Sequence, residues 1–493
     1  MFKKSWPFLI LAALSFTLHF AFLSHPAQVV FDEVHFGKFV SAYFTREYYF
    51  DIHPPLGKLM IAGWAKLNGV NPVFSFDHIG EQITPSALFA LRFLPAFFGG
   101  LFVLVFSWLA YLISRSRITA LVAGFLILLD NAFLAQSKFI LVDIFMLFFG
   151  TLTFCFFFLF QRQKSFSGKW LFYLLFTGLF FGLTISVKWT GLATIGIIGA
   201  LLLAKIFSRR LKYYLSSGRL GQVPSEGRRP ASAGQGLAWV PENEGFAQAA
   251  LKTLKESGLA LIVVLFLGLA VYILPFYIHF KLLAQSGPGD AFMSYYFQQE
   301  LKYGPDKNQP LSFWQKFFEL NKTMLKANAG ITSEHAFGSR WYSWPLGYKP
   351  VYYWNQPPEN NKTANIYFTG NFYLWWLTLF AVLGTLSALL KKKWRKKITP
   401  AYYFLLLAYF ANLLPFIFIK RVSFLYHYLS SVSFGVLLFS FFLTKLLPQH
   451  KKLFFIIFGL IVLCFLFLAP LSYGWSIPSK FYQFQLKIIN LLN

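Results

Sequence analysis

Two short clusters carry most of the chemistry that this sequence could perform: Asp32-Glu33-Val34-His35-Phe36-Gly37-Lys38 and, about twenty residues on, Asp51-Ile52-His53-Pro54-Pro55-Leu56-Gly57-Lys58. Asp32 and Glu33 follow the first apolar run, where an unneeded charge is costly. Phe31, Val34 and Phe36 surround them with apolar side chains, which raises the basicity of a carboxylate and suits it to act as a general base on a hydroxyl. Two solvated acids at the end of a span are the plainer reading. In the second cluster, Pro54 and Pro55 suit a helix start, so the stretch from Asp51 to Asn68 is expected to form a short helix along the membrane surface. His53 at its positive end and Lys58 one turn on suit phosphate; an interfacial helix facing lipid headgroups explains the same residues equally well.

The elements that position these clusters follow from composition. Of 493 residues, 57% are hydrophobic and 13% charged, and the mean hydropathy is +0.54, so the chain is a polytopic, all-α membrane protein. The net charge of +27 does not indicate nucleic acid, because the basic residues fall in short groups between apolar runs. Cys155 and Cys464 lie inside apolar runs and give neither a disulfide framework nor zinc spacing.

At about 20 residues per crossing, eleven spans are expected, near 7–23, 87–113, 118–136, 139–160, 170–187, 190–207, 258–280, 371–390, 401–419, 424–446 and 452–472. Lys3 and Lys4 precede an apolar stretch without a clean cleavage site, so the first span is expected to be a retained anchor. Every strong basic group, including Lys391 to Lys397, falls on one side if the N-terminus is cytoplasmic. The expected organisation is a membrane domain over 1–280 with a first external loop at 24–86 and a flexible cytoplasmic linker at 208–257. A large external loop at 281–370 follows, then helices and an external tail over 371–493. Lys420 and Arg421 violate the charge rule by lying outside: either they snorkel to the interface, or they meet an anionic ligand together with His427.

The acid pair, His53 to Lys58, the segment Ala90 to Gly100, Asp130 to Lys138 with Asp143, Trp341 to Leu346, and Arg421 to Tyr428 together resemble the protein O-mannosyltransferases over nearly the whole chain. The resemblance implies a GT-C-type fold with about eleven transmembrane helices and mannose transfer, with inversion, from a polyprenyl-phosphate-mannose lipid to Ser/Thr hydroxyls of exported proteins. It also implies a bacterial-type enzyme of the plasma membrane with an external active site, since the 281–370 loop is too short for a MIR domain. Asp32 is then the catalytic base and Glu33 orients the acceptor. Phosphate or sugar is held by His53, Lys58, Arg92, Gln136, Lys138, Asp143, Arg421 and His427. Lys138 stands where the family commonly has Arg, losing a bidentate fork.

Several of these residues have plainer readings: Arg92 as an interfacial anchor, Gln136 and Asp143 as helix caps, His427 as a core histidine. Trp341 and Trp344 read first as interfacial aromatics and second as sugar or acceptor contacts. No cofactor beyond the lipid-linked donor is expected. Asp32, Glu33 and Asp143 would suit a divalent cation, but a basic cradle already meets the leaving charge, so no metal is assigned. The competing functions are transfer of a lipid-linked sugar to lipid A or a cell-wall glycan, and membrane transport.

Overall fold

The computed structural model describes residues 6–217, 246–306, 309–330 and 334–491. Its N-terminal part holds α1 (Trp6–Phe20), α2 (Glu33–Thr45), α3 (Leu56–Leu67), α4 (Pro85–Ser114), α5 (Arg117–Leu128), α6 (Asn131–Lys138), α7 (Asp143–Phe160), α8 (Gly168–Val187), α9 (Ala193–Ser217) and α10 (Phe246–Leu282). The middle holds α11 (Tyr295–Tyr303), α12 (Phe313–Gly330) and the strands β1 (Val351–Glu359) and β2 (Lys362–Phe368). The C-terminal part adds α13 (Phe372–Leu390), α14 (Lys392–Arg395), α15 (Pro400–Leu413), α16 (Leu429–Leu446), α17 (Lys451–Tyr473), β3 (Ile477–Pro478) and α18 (Ser479–Leu491).

Among the described residues, nine helical stretches are long and apolar enough to cross a membrane, and the bent pair of α5 and α6 has the length and composition of a tenth, as a broken span or a re-entrant loop. With the shorter α1, these correspond one to one with the eleven expected spans. The bend corrects the expected continuous span at 118–136. α5 and α6 meet at 62°, because Asp130 is extended and caps α6, accepting the Ala132 N–H at 2.9 Å. A second capping signal in mid-span ends one helix and starts another. The next span accordingly begins at Asp143 rather than 139. The linker expected at 208–257 is narrower than its polar composition indicated. α9 runs on to Ser217 and α10 starts at Phe246, and residues 218–245 lie outside the described residues.

Helical periodicity did not reveal a three-stranded antiparallel sheet in the order β1-β2-β3, in which the hairpin between α10 and α13 is joined by β3 from beyond α17. Val351 pairs with Phe368 and Tyr352 with Tyr367, but the register slips before Trp354 pairs with Ile366. Tyr353 is therefore the extra residue of a bulge, the device by which a strand re-aims one side chain.

The short helix expected after Pro54 and Pro55 is α3, but its lysine does not face headgroups. Gly57 and Lys58 are buried, and Trp64 stacks on Phe93 of α4 with ring centroids 4.5 Å apart. Gly57 is where α3 meets α7: a Cβ there would stand 2.8 Å from Val142 Cγ1. Gly57→Ala is expected to cost about 1–3 kcal/mol through overpacking, and to lower activity by pushing Lys58 away from its partner. Thermal midpoints and transfer rates of the purified variant check this.

Candidate active site

The second acid of the opening pair is wholly buried at the first turn of α2. Its carboxylate faces Arg92 of α4, which donates from Nε to Oε1 and from Nη2 to Oε2, each at 2.8 Å. Glu33 also accepts the N–H groups of Val30 and Ile140, both at 2.9 Å. Arg92 spends its remaining donors on the carbonyls of Leu23, Pro26 and Gln28. Five N–H groups on the guanidinium thus meet five bonds. This corrects two expectations: Arg92 has no donor left for phosphate, and Glu33 has no free edge for an acceptor.

Two further acid–cation pairs surround the same place. Lys58 Nζ is paired with Asp51 and donates to the His53 carbonyl at 2.8 Å, so its charge is committed within the loop instead of to a ligand. Burial pulls the Lys58 ammonium below its usual pKa, and Asp51 opposes that shift. Asp143, at the start of α7, accepts from Lys188 Nζ at 2.7 Å and from Gln136 Nε2 at 3.0 Å. Gln136 in turn accepts the Tyr353 hydroxyl at 2.6 Å. Tyr353 is the bulge residue, and its carbonyl takes the Phe31 N–H at 3.0 Å while its ring stacks on Phe31 at 4.1 Å. The sheet thereby grips the backbone beside Asp32. Lys138 is elsewhere: it donates to the Ala21 carbonyl and lies 4.6 Å from the Tyr473 ring centre. The expected phosphate role is corrected, since a buried amine bonded to a helix-end carbonyl fastens α6 to the end of α1.

Asp32 is the exception. It is half-buried at the N-cap position of α2 but makes no capping bond, and it has no ion-pair partner among the described residues. Burial pushes its carboxyl up to about 7; the Lys188 charge pulls the other way, while Asp143 and Asp51 add to the rise. A carboxylate half-ionised near neutrality suits proton abstraction. Lys188→Met is expected to move the acidic limb of the rate profile to higher pH, because a cation that favours the carboxylate has been removed. A pH series of kcat/KM measures the direction, and an unmoved or downward-moving limb contradicts the electrostatic link.

Beside these pairs opens a cavity of about 620 Å³, bounded by α7, α9, α12, α15 and the segment leading into α16. Its walls are mostly apolar, including Met146, Leu147, Leu325 and Phe418, and its polar end carries Asp143, Lys188, Arg421 and His427. Arg421 is half-buried and has no ion-pair partner among the described residues. His427 bonds through Nδ1 to the Phe424 backbone at 3.0 Å. His53 is influenced by this group as well: burial first, then Lys188, Lys58, Arg421 and His427, hold its imidazole well below its usual pKa. It is therefore a neutral ring able to donate one hydrogen bond.

A second, polar cavity of about 610 Å³ adjoins the first and has Trp341 on its wall. Trp344 stands behind the wall of the same cavity and exposes no surface to it. It is completely buried, bonds to Ser339 Oγ at 3.0 Å and stacks behind His427 at 6.0 Å, so the expected sugar contact is corrected to support for the histidine.

Residues 9–284 match the profile of the dolichyl-phosphate-mannose-protein mannosyltransferases, and residues 313–490 match the C-terminal four-span region of the protein O-mannosyltransferases. The chain belongs to the protein O-mannosyltransferase family. Protein O-mannosyltransferase 1 of Drosophila melanogaster is 32% identical over 312 residues, which are 62% of this chain and 31% of that protein. Dolichyl-phosphate-mannose–protein mannosyltransferase 4 of Saccharomyces cerevisiae is 34% identical over 304 residues, 60% of this chain and 35% of that one. The matched region thus spans about a third of these curated relatives. Among solved structures, the S. cerevisiae Pmt1–Pmt2 complex bound to the sugar donor superposes with a TM-score of 0.79 at 18% identity, over 96% of this chain and 90% of that one. ArnT from Cupriavidus metallidurans bound to undecaprenyl phosphate gives 0.54 at 13% identity, over 99% and 70%. The fold is that of the GT-C-type membrane glycosyltransferases.

In this member of the protein O-mannosyltransferase family, the site residues that sequence reading passed over are Lys188, Tyr353 and Asp51 as the partner of Lys58. A signal existed for Lys188: it is a lone cation between two apolar runs on the side expected to be external, the same breach of the charge rule that drew attention to Arg421. Nothing comparable marks Tyr353, whose role depends on a strand bulge. Among the described residues no group of three or more His, Cys, Asp or Glu could hold a metal ion.

Proposed function

We propose that this protein transfers mannose from a polyprenyl-phosphate-mannose lipid to Ser/Thr hydroxyls of polypeptides at the external face of a bacterial plasma membrane. The single observation that carries this reading is the pairing pattern: Glu33, Asp51 and Asp143 each have a cation, and Asp32 has none. The membership of both halves of the chain in one family favours a polypeptide acceptor over lipid A or a glycan. The apolar cavity with a cationic end suits a lipid phosphate, whose chain meets Met146, Leu147 and Leu325 while Arg421, with His427 beside it, meets the charge.

In this reading Asp32 takes the proton of the acceptor hydroxyl as its oxygen bonds to the anomeric carbon. The bond from that carbon to the phosphate oxygen breaks with its electron pair passing to phosphate, so the configuration inverts in one displacement. The phosphate is a good leaving group, and positive charge placed before the reaction stabilises what develops on it. Lys188 holds Asp143 and tunes Asp32, and Gln136 and Tyr353 fix both in place.

The test is incubation of the purified protein in nanodiscs with radiolabelled polyprenyl-phosphate-mannose and a Ser/Thr peptide. Label is expected on the peptide. Label that stays on the lipid, or passes to a glycan or lipid A acceptor in preference, refutes the assignment.

A further inference from the structure

The polar cavity beside the donor cavity has no role so far beyond the Arg421 that the two share, and its charge is uneven. Arg340, Lys349, Lys420 and Arg421 line it with His335, against the single acid Glu334. Arg340, Lys420 and Arg421 have no ion-pair partner among the described residues. Its other walls are largely hydroxyl-bearing or aromatic, with Ser339, Ser423, Trp341 and Tyr342, the last 66% exposed. Beside Phe416, Ile417, Ile419 and Val422, these hydroxyls and flat rings offer a polypeptide both hydrogen bonds and apolar contact.

Position makes the excess charge informative. The two cavities share Phe416, Ile419, Lys420 and Arg421, so whatever lies in the polar one reaches the cationic end of the other. From the polar side, His335 meets Phe424 at 5.0 Å, Phe424 stacks on Tyr426 at 5.4 Å, and Tyr426 meets Phe31, the neighbour of Asp32, at 6.2 Å. Packed rings therefore connect the wall of the polar cavity to the residue before Asp32.

We infer that this cavity is an acceptor cleft selecting polypeptide segments whose hydroxyl residue is flanked by acidic side chains, with Arg340 as a specificity-determining residue. The inference rests on the mannosyl-transfer reading and adds a substrate class to it. Complementary charge at a half-open cleft chiefly raises the rate and selectivity of capture, and salt weakens it. Basic segments are disfavoured by the same cations. Arg340 is absent from the apolar cavity, so its substitution spares donor binding.

The experiment uses the full chain in nanodiscs of phosphatidylcholine with saturating lipid-linked mannose. Three peptides of equal length carry one Thr flanked by Glu, Gln or Lys. The expected order of kcat/KM is Glu above Gln above Lys, with a ratio of about tenfold between the extremes at low salt, as two or three partly exposed charge pairs imply. The ratio shrinks in high salt, and Arg340→Glu reverses the order while leaving the donor KM unchanged. A fluorescent Glu-flanked peptide, followed by anisotropy without donor, is expected to bind the wild type more tightly than Arg340→Glu. Equal use of all three peptides overturns the inference and leaves the transfer reading standing. Peptide binding with no transfer refutes the transfer reading and retains the cleft, and neither binding nor transfer overturns both. If Arg340→Glu instead abolishes a dependence on added phosphatidylglycerol and leaves the peptide order intact, the cavity is a headgroup site and the inference falls.

Discussion

Asp32→Asn is expected to lower mannose transfer by about 10²–10⁴-fold, the usual contribution of a positioned general base, with the donor still bound and the protein still folded. The substitution keeps the shape of a side chain that is half-buried and unpaired, so the loss falls on kcat more than on the donor KM. The wild-type rate profile carries the same signature. A base works as the carboxylate, and burial has raised the Asp32 carboxyl to about 7. Hence kcat/KM climbs roughly tenfold per pH unit below neutrality and levels off above it, a limb that Asp32→Asn removes. Undiminished transfer by the Asn variant would show that another group accepts the proton.

The neighbouring acid has the opposite expected behaviour, although it differs by one position and one methylene. Glu33→Gln leaves the Arg92 guanidinium charged, buried and short of its bidentate partner, and breaking a buried pair from one side costs about 3–5 kcal/mol. Glu33 also ties the start of α2 to the chain at Val30 and Ile140, so the damage spreads to the loop that holds Asp32. The expected result is a large fall in thermal midpoint and yield, while the surviving folded fraction keeps its pH limb near neutrality. Pairing Glu33→Gln with Arg92→Met removes the stranded charge and is expected to restore part of the stability. If Glu33→Gln melts like the wild type yet loses turnover, Glu33 acts on substrate after all.

How much of this was legible beforehand differs between residue classes for physical reasons. The spans were readable because apolar length and basic loops are local properties of sequence, and α4, α7, α8 and α16 fall close to their expected places. Asp32 was readable because a charge beside apolar side chains at a membrane boundary demands an explanation. The roles of Arg92, Lys58 and Lys138 were not, since a lysine or arginine in the right region looks the same whether it meets a ligand or a protein carbonyl. Only the three-dimensional count of donors separates them: Arg92 is saturated, Lys58 belongs to Asp51, and Lys138 fastens a helix end. Trp344 was obscured in the same way, because an aromatic near an external loop gives no sign of whether its face is open. The sheet went unseen because β1 contains Pro357 and Pro358 and its bulge breaks strict alternation.

The small sheet also has a consequence in time. β2 pairs with β3 at Thr363–Ile477 and Lys362–Pro478, His25 bonds to the Gly474 carbonyl at 2.8 Å, and Tyr473 bonds to that of Leu18 at 2.8 Å. Supports for the loop that carries Asp32 therefore come from residues translated more than four hundred codons later. Chains are made from the N-terminus at about 5–20 residues per second, so the acid waits tens of seconds on a half-built scaffold before its surroundings are fixed. During that interval the nascent chain holds Asp32 but not the strand pairing and helix-end bonds that fix the loop around it.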